Sequence, residues 1–234
     1  MNSRMIVDQN SELQELTEQE SVVKNKGLRI AANILSYLFH PLFVPVFIIW
    51  FLLTFEPFFF TGFTPMQKII TLIQFFMIYS FFPLITVLLA KGLGFLQSIH
   101  LKTQKDRIIP YIACEIYYFW MAYVIRHQED FPREIMQLTI AIFLASSIGL
   151  LVNIIMKVSM HAISMGVMVL FIGLLGFSQS NSFTAYLSVA LLIAGLVCTA
   201  RMIVSDHSSK EIYTGLLVGA VSMILGVWAD GILP

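Results

Sequence analysis

Charge is what this sequence has least of. Asp, Glu, Lys and Arg make up 12% of its 234 residues, against about 25% in an average soluble domain. The 14 basic and 14 acidic residues cancel to a formal net charge of zero, so there is no electrostatic footprint for a nucleic acid. Cysteine is also scarce: Cys114 and Cys198 both fall inside apolar runs. They fill small gaps at most and say nothing of redox compartment. Internal repeats, a separate soluble domain and a His, Cys or carboxylate cluster with metal-ligand spacing are all lacking. So is the short basic head with a compact apolar stretch that would mark a cleavable signal peptide. In their place are 58% hydrophobic residues, with 20 Phe and 12 Met, and a mean hydropathy of +0.82. Such a chain cannot cover a water-facing surface with polar groups. It reads as an integral membrane protein.

Residues 1–29 form a polar tail, acidic early and basic late, with room for a helical patch and an anchor in Lys24, Lys26 and Arg29. Residues 30–234 form one transmembrane domain. Its apolar runs lie near 31–54, 67–90, 108–125, 135–156, 161–177, 183–200 and 211–229, each close to the roughly 17–25 residues that span a bilayer. Backbone in lipid has to satisfy its own hydrogen bonds, so each run is expected as a helix. His40–Pro41 and Pro83 predict kinks in the first two. The fold class is therefore all-α, a polytopic membrane bundle of six or seven transmembrane helices.

Seven spans place the breaks near 91–107, 157–161 and 201–210 on the same face as the N-terminus. That face collects Lys24, Lys26, Arg29, Lys91, Lys102, Lys105, Arg107, Lys157, Arg201 and Lys210, and the other only Lys68, Arg126 and Arg133. The bias predicts a cytoplasmic N-terminus.

Three polar clusters converge on that face. KTQKDRIIP (102–110) offers Lys102, Lys105 and Arg107 before a span, with Asp106 and Pro110 expected at the helix start. These cations serve either as a juxtamembrane anchor or as a phosphate clamp. KVSMHAISMG (157–166) places Ser159 as an N-cap and His161 in a first turn. A lone interfacial histidine there is more often structural than functional. RMIVSDHSSKE (201–211) holds Arg201, His207 and Glu211. His207 and Glu211, four apart, share a helical face, so the carboxylate can take the Nδ1 proton and raise the basicity of Nε2. One salt-bridged turn is ordinary. Three such clusters at one end of so apolar a chain point to function, because ionisable groups near lipid are costly.

The last two clusters resemble the type 2 phosphatidic acid phosphatase superfamily, which also contains vanadium haloperoxidases. Its third motif, Ser-Arg, five residues, His, three residues and Asp, is similar to Ala200, Arg201, His207 and Glu211, with the same spacing of the three functional positions. Its Pro-Ser-Gly-His motif is matched by Ser159, Met160 and His161, with Met where Gly is usual. Its Lys, six residues, Arg-Pro motif is met loosely by Arg107 with Lys102 or Lys105, and Pro110 is displaced. The resemblance covers roughly residues 100–229 and implies a phosphatase-like core.

It further implies that His207 attacks phosphorus, Glu211 orients it, and His161 acts as acid and then base. Arg201, Arg107, Lys102 or Lys105, and Ser159 would bind the phosphate, without metal or cofactor. The expected substrate is a lipid phosphate or an isoprenyl diphosphate such as undecaprenyl diphosphate, entering laterally from a bacterial inner membrane. Two other readings stay open: a small-solute or lipid transporter, which would use the broken helices, and a lipid-binding protein with a decayed site, which Met160 would suit.

Overall fold

The computed structural model describes residues 5–7, 13–15, 25–95, 104–178, 183–204 and 207–232. Nine α-helices occur among them: α1 (Lys26–Leu38), α2 (Val44–Phe55), α3 (Pro65–Phe76), α4 (Phe82–Gly92), α5 (Gln104–Arg126), α6 (Arg133–Ile155), α7 (Met160–Ser178), α8 (Thr184–Val204) and α9 (Ser209–Ile232). A π-helical turn, Met77–Phe81, joins α3 to α4. Six segments are long and apolar enough to cross a membrane: Pro65–Gly92, Ile108–Arg126, Arg133–Ile155, Met160–Phe177, Thr184–Val204 and Ser209–Ile232. The architecture is an all-α bundle of a polytopic membrane protein.

Two details differ from the sequence reading. In the tail, β1 (Met5–Val7) pairs antiparallel with β2 (Leu13–Glu15), Ile6 opposite Gln14, a pairing the sequence reading did not include. β-Branched Ile6 and Val7 favour the extended backbone. The first apolar run is two helices rather than one kinked span. Pro41 disfavours helical backbone at His40 and donates no N–H of its own. The chain therefore turns over 39–43 before resuming as α2, which at 12 residues is about 18 Å long.

The second run behaves otherwise. Thr64 and Gln67 close a reciprocal capping box at the start of α3. The π turn lies just before Pro83, where the helix has to manage a missing donor, and α3 and α4 continue as one 28-residue span. Pro110 lies inside α5, a little beyond the helix start where it was expected.

Packing is closest where glycines line up. A Cβ built on Gly166 would sit 2.3 Å from the Leu216 carbonyl oxygen, and one on Gly219 would sit 2.1 Å from that of Ile163. At Gly215 it would lie 2.8 Å from the Ser159 oxygen, and at Gly226 2.8 Å from that of Gln137. So α9 runs backbone-to-backbone against α7 and α6, using the small-residue spacing that membrane helices favour. At the C-terminal end of α9, buried Asp230 accepts from Arg133 Nε (2.5 Å) and Gln137 Nε2 (2.8 Å), pinning α9 to α6. The outer surfaces carry Phe177, Ile155, Leu151, Leu192 and Trp228, as expected for faces against lipid.

Candidate active site

The α6–α7 junction builds the first wall. Helix α6 stops at Ile155 and α7 begins at Met160. Ser159, fully buried, caps α7: its Oγ accepts from Ala162 N (3.4 Å) and its carbonyl from Ile163 N (3.0 Å). Ser159 N donates to the Glu211 carbonyl (3.4 Å), so the starts of α7 and α9 are tied together. The Ser159 cap uses an acceptor position of the hydroxyl and not its proton.

The second wall is the α8–α9 junction. Ser208 caps α9 through Glu211 N (3.3 Å) and Ile212 N (3.2 Å). The same turn carries His207, whose side chain is only 3% exposed, against Glu211, at 19%. His207 Nδ1 lies 2.8 Å from Glu211 Oε2. A carboxylate only accepts, so Nδ1 carries the proton and Nε2 is the nitrogen with nucleophilic character. Lys157 is close enough for its charge to act on Glu211. Arg201 lies in the last turn of α8, where its charge acts on both His161 and His40; His207 lies near His161 as well.

A third wall has no counterpart in the sequence motifs. His161 Nε2 donates to the Ser36 carbonyl of α1 (3.0 Å), which directs any chemistry at His161 to Nδ1. The His40 ring stands edge-to-face against His161, centroids 5.4 Å apart and planes at 80°. His40 Nδ1 accepts from Leu42 N (3.4 Å). In the sequence His40 marks only a kink. A single histidine before proline in an apolar run carries no signal for a partner 121 residues further on.

Of the residues picked from sequence, the fold brings together His161, Arg201, His207, Glu211 and Ser159. Lys102 lies outside the described residues, and Lys105 and Arg107 are placed by backbone alone, in the first turn of α5. Since α5, α7 and α9 each follow the last by one return helix, their N-terminal ends share one end of the bundle. Met160 lines a narrow cavity of about 80 Å³ with His40, Tyr111, Ser146 and Ser164. A second, almost wholly apolar groove of about 480 Å³ runs from Leu38 and Phe39 along α2 to Phe55, walled by α7 and α8. Among the described residues, no three His, Cys, Asp or Glu side chains group as metal ligands.

No family model, curated protein or solved structure matches the chain.

Proposed function

We propose that the protein is a membrane phosphatase that hydrolyses a lipid phosphate or isoprenyl diphosphate through a phosphohistidine, with a core like that of the type 2 phosphatidic acid phosphatases. The observation that carries this reading is the 2.8 Å His207 Nδ1–Glu211 bond beside Arg201 and His161. His207 Nε2 attacks phosphorus in line as the bond to the leaving oxygen breaks. Glu211 holds the tautomer and stabilises the imidazolium that forms. Arg201, with Arg107 and either Lys102 or Lys105, neutralises the equatorial oxygens. With the phosphate charge of the bound substrate beside it, His161 enters as an imidazolium whose Nε2–H stays on the Ser36 carbonyl; it gives its Nδ1 proton to the leaving oxygen and takes one back from the water that cleaves the phosphohistidine. Neither metal nor cofactor enters this sequence of steps. The apolar groove from Leu38 to Phe55 supports a lipid substrate entering sideways, its chain along α2 and its head group among the histidines.

Glu211→Gln keeps the size and one acceptor oxygen but removes the charge. It should lower turnover by about 10²–10⁴, equally for a lipid phosphate and an activated aryl phosphate. Wild-type turnover in this variant would remove Glu211 from the mechanism.

The turn over 39–43 and the π turn favour a second reading, transport, because interrupted helices line many transport sites. Phosphate release from a panel of lipid phosphates, set against solute uptake into proteoliposomes, separates the two. Release without uptake is expected. Uptake without release would replace the phosphatase with a transporter, and lipid binding without either would indicate a decayed site.

We infer from the basic residues that the site end faces the cytoplasm of a bacterial inner membrane; for the N-terminus to share that side, α1 and α2 together must make a seventh pass beside the six long spans. Reporter fusions after Asn25 and within 92–100 should both read as cytoplasmic. Two external signals would reverse the side.

A further inference from the structure

We propose that His40 is a phosphate-binding residue of this site, its Nε2–H donating to a non-bridging oxygen of the phosphoryl group in transfer. The inference rests on the phosphatase reading, to which it adds a wall built by the first apolar run.

Three observations carry it. The tautomer is set by the backbone: Leu42 N–H points at His40 Nδ1 (3.4 Å), and a donor can be received only by a lone pair. In the neutral ring the proton is then on Nε2. The turn that carries the ring is also held in place. Phe43 N and Val44 N donate to the His40 carbonyl (2.8 and 3.3 Å), and Ser80 Oγ, in the π turn, donates to the Leu42 carbonyl (2.7 Å). The irregular turns of two elements thus brace one another, and His40 belongs to the first of them. Finally, the ring sits against His161 and within the field of Arg201, where a phosphoryl group would need neutral donors beside its cations. Ser36 belongs to the same wall. Its carbonyl fixes His161, and its Oγ, in a residue 5% exposed, has no hydrogen-bond partner among the described residues.

The bland alternative is that His40 only packs, since its ring also meets Phe43 edge-on at 6.3 Å. Two variants distinguish these. His40→Gln keeps an N–H at about the reach of Nε2 but loses the ring; His40→Phe keeps the ring but loses the donor. If His40 binds phosphate, His40→Phe should lower kcat/KM for p-nitrophenyl phosphate by about 10²–10³ and weaken inhibition by orthovanadate in parallel. His40→Gln should stay within roughly tenfold of wild type. If it only packs, the ranking reverses.

A measurement on the wild-type protein covers the case in which neither variant folds. Orthovanadate should protect His40 from carbethoxylation, mapped by mass spectrometry. Near-normal kinetics in His40→Phe, or a His40 that orthovanadate leaves unprotected, overturns the His40 assignment while wild-type phosphate release upholds the phosphatase. A wild-type protein that releases phosphate from no lipid phosphate and from no aryl phosphate overturns both.

Discussion

His207→Ala should abolish phosphate release, with a loss on the order of 10⁴-fold or more, while the protein still purifies as the same folded species. The size follows from the role. A nucleophile that forms the covalent intermediate cannot be bypassed, and removing one member of such a unit costs nearly as much as removing them all. The fold should survive because His207 lies in the turn ahead of α9, outside the glycine seam that joins α9 to α6 and α7. Its partner Glu211, 19% exposed, keeps access to polar surroundings once the imidazole is gone. Steady-state kinetics with a thermal melt in detergent checks both halves. Near-normal turnover in His207→Ala would take the nucleophile away from this residue.

Gly219→Ala should do the opposite, striking the fold first and activity through it. The added methyl carbon would stand 2.1 Å from the Ile163 carbonyl oxygen and 2.8 Å from Val167 N. Both are backbone atoms of α7, and neither can swing aside. Ordinary contact begins near 3.4 Å, so the helices have to part by more than 1 Å. Overpacking of this kind costs about 1–3 kcal/mol or more, or up to about 10 °C in Tm for a chain of this size. The separation also pulls Glu211 and His207 from Ser159 and His161, since the Ser159 N–Glu211 O bond is one turn from the seam. Gly195→Ala is the control. Nothing lies within 4 Å of its added carbon, and Ala suits a helix better than Gly by about 1 kcal/mol. Equal melting temperatures for Gly219→Ala and wild type would mean that α7 and α9 are not packed this closely.

How much of this could be read in advance follows from the range of the forces involved. The spans were legible because lipid demands long apolar helices, and a run of Leu, Ile and Phe declares itself residue by residue. The Ser159 cap is local and could be read from three or four positions. The His207–Glu211 pair was legible for the same reason: four residues at a helix start settle who meets whom. His40 was not. Its contacts with His161 and its tie through Leu42 to Ser80 join segments that no periodicity relates, and its sequence neighbourhood announces only a kink. The division of the first run into α1 and α2 was half legible. Pro41 gave the position of the break, but the bond from Ser80 that holds the turn open comes from another helix.

The most direct test is to trap the covalent intermediate. Protein mixed rapidly with a lipid phosphate labelled at phosphorus, then quenched in base, should carry label that is stable to alkali and lost in acid, as a phosphoimidazole is. Peptide mapping should place that label on His207 Nε2, and His207→Ala should carry none. Phosphate release by wild type with no trapped label, or label that persists in His207→Ala, would contradict a phosphohistidine at this site.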